Sequence, residues 1–515
     1  MPSLACRVCR PLALFAGCCF VAAALAAQPP GKDQKQAERV PLPKTPASTG
    51  LLATDASPID LASALRLAGV QNPEILLARQ RVEEAAALRQ LAAAQLLPSL
   101  NAGTNVNIHN GPLQASTGQI VDVNRGAMYI GLGASAVGAG TVTVPGIFWS
   151  GNVSDTLYGN LVARQRVQVQ QFASQAVYND VLLRVAGAYL ELLRSEARLA
   201  IAHKNRAEAA EVAKLIVDRA AQGLERPADA NRAATELEQR DTDILEAEAL
   251  VLTASARLAQ LLSLDPSMRL HAADGYAVPV PLVPDAIPLP ELLTIAVTQR
   301  PELRERQAAI RAALLELDGA RCLPFSPNLI LGYSAGDFGG GSNLVSQGIK
   351  QADGTILQQH RFGNFDDRQD VDAVVYWSLR NLGVGNLALV RLAKSNVRAN
   401  ELRRIEVLDR IGAEVAAAYA RSHARFAQIA TSEDAVQASG KGFQQDLIRT
   451  KGNVGLPIEV LDSMRLLARS RYALLDAIID FNRAQFDLYV ALGEPPADFL
   501  ARPIPEPPPE KAKAP

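Results

Sequence analysis

Residues 61–74 read LASALRLAGVQNPE, and residues 289–302 read LPELLTIAVTQRPE. Both are apolar at helical spacing and both end on a Pro-Glu pair, so the chain carries one pattern twice at a period of about 228 residues. The copies stay in step. Pro98-Ser99-Leu100 matches Pro327-Asn328-Leu329, and Phe148-Trp149-Ser150 matches Tyr376-Trp377-Ser378. Gly159-Asn160-Leu161 matches Gly385-Asn386-Leu387, and Leu264-Asp265-Pro266 is echoed by Gly493-Glu494-Pro495. Both tryptophans of the protein thus hold equivalent places.

Each copy changes period in a fixed order. Helical spacing runs over about 59–96 and 289–321. After Pro98 the period becomes two: Leu100, Ala102, Thr104, Val106 and Ile108 alternate with Asn101, Gly103, Asn105, Asn107 and His109. Three more strands are expected around Val142 and Val144, around Leu329, Leu331 and Tyr333, and from Val371 through Trp377 to Arg380. One apolar and one polar face is the pattern of a transmembrane barrel and also of a half-buried soluble sheet. The connections at 109–126 and 336–369 are Gly-rich and polar, which predicts long loops.

A very long helix follows in each copy, over about 157–222 and 384–449, with no proline inside. At ~1.5 Å per residue each is roughly 100 Å long. Each stops at a Gly-then-Pro turn, Gly223 to Pro227 and Gly452 to Pro457, and returns as a helix to about Leu264 and Leu492. The incoming and returning helices together match the long one in length, so two half-length helices stacked end to end are expected beside each full-length one.

Composition narrows the function. Hydrophobic residues make up 48% and aromatics only 5%, which suits long helices packed through Ala, Leu and Val. The charge is balanced, Lys plus Arg 52 against Asp plus Glu 53, which argues against nucleic-acid binding. Arg7 and Arg10 precede an apolar run ending in Ala24-Leu25-Ala26, so residues 1–26 read as an export signal. Phe15-Ala16-Gly17-Cys18 also resembles a lipidation box, with Cys18 as the alternative anchor. Cys322 alone remains in the mature chain, so no intrachain disulfide is expected. The five histidines lack ligand spacing, no metal site or cofactor is expected, and no nucleophile, phosphate-loop or dinucleotide pattern points to an enzyme. No later apolar run is long enough to span a membrane as a helix, so a membrane-spanning form would have to be a barrel. The expected organisation is a signal at 1–26, a Pro-rich segment at 27–58, a first repeat at 59–278, a Pro-rich linker at 279–288, a second repeat at 289–496 and a Pro-rich tail at 497–515.

The ordered set, repeated twice, resembles the TolC family of outer-membrane efflux and secretion ducts. It is carried by the helix starts at Asn72-Pro73 and Arg300-Pro301, the corners at Pro98 and Pro327, and a closing stretch from Leu467-Ala468-Arg469 to Tyr489-Val490-Ala491-Leu492-Gly493. The resemblance implies a mixed, mainly α fold. In it a homotrimer builds a periplasmic α-helical tunnel and a 12-stranded barrel in outer-membrane lipid, four strands per protomer. It also implies a periplasmic adaptor (a membrane fusion protein) and an inner-membrane pump as partners, and a passive exit route rather than an enzyme. A soluble periplasmic scaffold or adaptor is the alternative reading. The resemblance places acidic gate residues at Glu459 and Asp462, three apart on the returning helix, where acids also serve as ordinary helix caps. In the family's best-known member a Tyr and an Arg on this turn help lock the closed state; here Thr450 and Gly455 occupy the aligned places, with Arg449 and Lys451 nearby. Trp149, Trp377, Tyr376 and Phe148 read as an aromatic girdle at the membrane boundary, or as packing anchors of the strand-to-helix corner.

Overall fold

A computed structural model describes residues 56–137, 140–274, 277–342, 365–452 and 454–493. The export signal with Cys18, most of the first Pro-rich segment and the Pro-rich tail lie outside the described residues. So does 343–364 of the second expected loop.

Asp60 caps α1 (Leu61–Gln71) by accepting from the Ser63 backbone N–H at 3.1 Å. The chain then breaks at Pro73, whose ring excludes a helical Asn72, and continues as α2 (Pro73–Ala94). The first repeat goes on through the long α3 (Val153–Ala221) and the returning α4 (Pro227–Leu262). In the second repeat the equivalents are α5 (Leu289–Gln299), α6 (Pro301–Cys322), α7 (Val384–Lys451) and α8 (Pro457–Ala491). Helix α3 has 69 residues and α7 has 68, so each is roughly 100 Å long.

The half-length helices do meet end to end. Asn72 Oδ1 accepts from the Glu74 N–H at 2.9 Å, capping α2, while its Nδ2 donates to the carbonyl of Leu261 in the last turn of α4 at 2.8 Å. In the second repeat Arg300 takes this place, reaching the Val490 carbonyl at 3.5 Å and Glu414 at 2.7 Å. Gly493 follows α8 at φ +96°, and a Cβ there would lie 2.8 Å from the backbone of Gln299, so only glycine lets these ends approach so closely. The largest core sits at this level. Leu65, Leu182, Leu192, Leu258, Leu262, Ile411, Ile479 and Phe486 converge there.

Two segments expected to be unstructured belong to this core. Residues 57 and 58 open β1 (Ser57–Ile59), which pairs in parallel with a strand at Leu270–Ala272. The linker 279–288 is strapped to α8: Asn482 Oδ1 accepts from Val280 N at 2.8 Å, and Gln485 Oε1 accepts from Leu282 N and Val283 N at 3.0 and 2.9 Å. Buried side-chain amides on a distant helix supply bonds that prolines in the linker cannot.

The sheet differs from expectation in its second strand. The described strands are β2 (Ser99–Leu100), β3 (Ala102–Gln114), β4 (Ile120–Ala134), β5 (Val144–Pro145), β6 (Ile147–Asn152), β7 (the Leu270–Ala272 strand), β8 (Asn328–Ser342) and β9 (Asp366–Tyr376). The long return strand of the first hairpin is β4, which begins within the stretch expected as a loop (109–126) and runs beyond it. The expected strand at Val142 and Val144 lies mostly in a detour between β4 and β6. Only residues 115–119 join β3 to β4. Glycine and polar residues in β4 hide its alternation, yet it pairs with β3 from Ala102↔Leu132 to Gln114↔Ile120. Strand β9 ends at Tyr376, earlier than expected, and Trp377 lies just beyond it.

Strand β8 aligns the whole sheet. One edge pairs with β6 over residues 328–333 and with β4 over 335–342, and the other pairs with β9. All these pairings are antiparallel. Among the described residues, β3 and β9 each pair on one side, leaving two outer edges.

Candidate functional site

On one face of the sheet apolar side chains stand exposed: Val106 56%, Ile108 52%, Ile130 50%, Leu331 45%, Val371 76% and Val375 51%. The opposite face carries Asn101, Asn105, Asn107, His109, Arg368 and Asp370, all more covered than the apolar row. A soluble sheet with one buried face does the reverse, placing apolar side chains inward. No described helix is long and apolar enough to cross a membrane.

The two tryptophans act alike. Trp149 Nε1 donates to the carbonyl of Gln95, just after α2, at 2.8 Å; Trp377 Nε1 donates to that of Phe325, just after α6, at 3.2 Å. Each indole therefore ties its strand to the end of the incoming helix of its own repeat. Around them Phe325, Tyr376 and Trp377 are exposed, while Phe148 and Trp149 are half-buried. Each ring has its N–H satisfied at the corner and an apolar edge left outside.

At the other end of the helices lie the two tip turns. Pro227 and Pro457 open α4 and α8 at positions where the missing N–H costs nothing. Glu459 is a cap by geometry: its Oε2 accepts from the Leu456 N–H at 3.2 Å, and Arg449 lies 3.6 Å away. Asp462 is exposed and shares a groove between α7 and α8 with Asp446, Arg449 and Glu459. Among the described residues of one chain no group of three or more His, Cys, Asp or Glu could hold a metal ion.

Thr450 and Gly455, aligned with the family's lock positions, are engaged differently. Thr450 is fully buried, and its carbonyl accepts a bond from Arg219 at the end of α3. A Cβ on Gly455 would lie 3.0 Å from Arg449 Cβ. Lys451 Nζ pairs with Glu211 of α3 at 2.8 Å. The two tip turns are thus bound to one another within one protomer, with Arg219 as the central donor.

Behind the tip runs a ladder of ion pairs that sequence alone does not reveal. Glu236 on α4 is 4% exposed and receives Arg465 of α8 through two bonds, at 2.8 and 2.7 Å, as well as Arg240 from its own helix. Burial opposes charge on Glu236, yet the bonds from Arg465 and Arg240 outweigh it and hold the carboxyl below its ordinary range. Further along, Arg471 clasps Glu208 at 2.6 and 2.7 Å, and Arg198 clasps Asp476 at 2.8 and 2.7 Å. The partners lie more than two hundred residues apart in the chain. Each residue alone reads as a solvated helix face.

The described chain thus joins helices stacked end to end to a sheet with one exposed apolar face. Residues 64–263 match the family described as outer membrane efflux protein. The chain is 31% identical over 184 residues to Protein CyaE of Bordetella pertussis, a match covering 34% of this chain. The chain spans 38% of the length of that curated relative. The solved outer-membrane channel OprN superposes with a TM-score of 0.67 at 19% identity, covering 84% of this chain and 89% of that one. The CmeC outer membrane channel of Campylobacter jejuni gives 0.68 at 14% identity, covering 84% and 85%. At these identities the structural likeness is one of fold. The match to the outer membrane efflux protein family thus lies in the first repeat, and the likeness to the solved channels extends the fold over most of the chain.

Proposed function

We propose that the chain is the protomer of a passive outer-membrane exit duct that serves an efflux or type I secretion system and performs no chemistry of its own. The observation that carries this reading is the inverted sheet, apolar outside and polar inside. Four strands cannot close a barrel, and open edges are not tolerated in hydrocarbon. Strands β3 and β9 run in opposite directions, so the free edge of β9 suits the free edge of β3 in a second copy. Three copies would give a barrel of 12 strands, and α3 and α7 with their stacked partners would extend it as a tunnel through the periplasm. Trp149, Trp377, Tyr376 and Phe148 then sit at the inner membrane boundary, and Glu459 and Asp462 at the far end, where an adaptor and an inner-membrane pump would engage. A soluble periplasmic scaffold accounts for the helices but leaves Val371 and its neighbours in water.

Fractionation and planar-bilayer recording test the reading together. Recovery in the outer membrane as a cross-linkable trimer that conducts ions is the expected result. A chain found wholly in the soluble periplasmic fraction, or a purified membrane trimer that never conducts, overturns it.

A further inference from the structure

Between β4 and β6 the chain leaves the sheet and crosses its polar face. At the departure Gly133 takes φ +105°, with its Cβ position 2.7 Å from the Val144 carbonyl, so this doubling-back needs glycine. The described residues of the detour, 135–137 and 140–146, are then fastened to all four strands. From β3, the Asn105 side chain makes a paired amide bond with the Ala136 backbone, accepting at 3.0 Å and donating at 3.2 Å. From β4 and β8, Tyr129 and Phe338 pack with Ala136 and Val142. Strand β8 also supplies Ser334, whose Oγ accepts from Gly146 N at 3.2 Å. From β9, Arg368 donates to the Gly140 carbonyl, while its guanidinium pairs with Asp370 at 3.0 Å and lies 4.9 Å from the centre of the Phe338 ring.

Ala136, at 0%, and Val142, at 2%, are as buried as any core residue, while Thr141 and Thr143 remain exposed on the far side. This arm is a second layer laid on the sheet's polar face, with its own small apolar core.

We infer that the arm is a constriction inside the barrel, presenting Thr141 and Thr143 to passing cargo and setting the upper width of what the duct lets through. The inference rests on the closed-barrel reading above, in which the polar face becomes the lumen wall. An eight-stranded barrel is filled by its own side chains, so a 12-stranded one holds an open lumen. A backbone layer packed on a sheet can stand up to about 10 Å from it, and three such layers leave a narrow central passage. Threonine hydroxyls on its inner surface carry no charge. The passage therefore sorts by width rather than by sign, admitting small molecules or an extended polypeptide and refusing a folded domain.

The test uses the full chain with Thr143→Cys in a Cys322→Ser background, reconstituted in planar bilayers and read at its largest conductance level, where the helical tip contributes least resistance. A bulky thiosulfonate reagent is added from the barrel side. The expected result is a fall in conductance of about twofold or more, absent in Cys322→Ser alone. A thiol that fails to react, or one shown by mass to be modified without a change in conductance, overturns the arm. Asn105→Ala with Arg368→Gln, which releases the arm without shortening the chain, is expected to pass larger polyethylene glycols than the wild type. An unchanged cut-off in a conducting trimer argues against the constriction. If the wild-type trimer does not conduct at all, it is the channel reading that fails.

Discussion

Glu459 and Asp462 sit one turn apart in different surroundings. Glu459 caps α8 and faces Arg449, so Glu459→Ala is expected to cost about 0.5–1 kcal/mol of stability and to change ion preference little. Asp462 is exposed, and Asp462→Asn is expected to lower cation preference, measured as reversal potential across a salt gradient. If neither variant shifts that potential, Asp462 is a surface acid and the gate lies elsewhere. Glu236 belongs to the same scale. Glu236→Ala leaves Arg465 without this partner and Arg240 with Asp243 alone, and should cost about 2–3 kcal/mol, less than a fully buried pair because Arg465 can turn to water. The pH dependence follows from the depressed pKa. A carboxyl held below its unfolded value of 4.5 contributes fully above that value, and the contribution is lost as pH falls through the folded one. Thermal unfolding of wild type and Glu236→Ala should therefore differ at pH 7, and the gap should narrow as the pH falls below 4.5. A gap that persists in acid would assign the loss to packing.

At the scale of elements, the junctions where half-length helices meet hold the fold in register. Asn72, 3% exposed, both caps α2 and satisfies a carbonyl of α4. Asn72→Ala removes both bonds and should cost about 2 kcal/mol, whereas Asn72→Ser keeps a capping oxygen without the donor to Leu261 and should cost about half of that. Equal losses measured by denaturant unfolding would show that only the bond to Leu261 matters. The break at Asn72-Pro73 was legible in the sequence, as were the Gly-then-Pro tips, because backbone constraints at proline and glycine are local. The bond from Asn72 to Leu261 was not, since it joins residues 189 apart. Strand β4 was missed for a related reason: Asp122, Asn124, Arg125 and three glycines obscure its period, and its pairing with β3 and β8 makes the strand.

For the whole molecule, the proposed duct sets the exposed apolar face of the sheet in hydrocarbon and a second copy at each edge. Val371→Lys, on the exposed apolar face, places one charge per chain in that layer, at about 2–4 kcal/mol if the site lies near the bilayer midplane. The expected outcome is reduced recovery as an outer-membrane trimer, assayed by fractionation and cross-linking, while helicity by circular dichroism is kept. Normal assembly would place Val371 outside the hydrocarbon.

Taken by itself, the sequence determined the duplication, the helix lengths, their punctuation and the alternating faces of three of the four strand regions. These are consequences of side-chain period and of what proline and glycine do to their own backbone. Only the tertiary structure decided that Arg219 rather than a residue at Thr450 or Gly455 ties the tips, and that Glu236 is clasped from α8. It alone showed the 279–288 segment strapped to buried amides and residues 135–137 and 140–146 lying on the polar face. Each depends on groups brought together from distant parts of the chain. No local pattern encodes that meeting; it follows from packing two long helices and a sheet into one register.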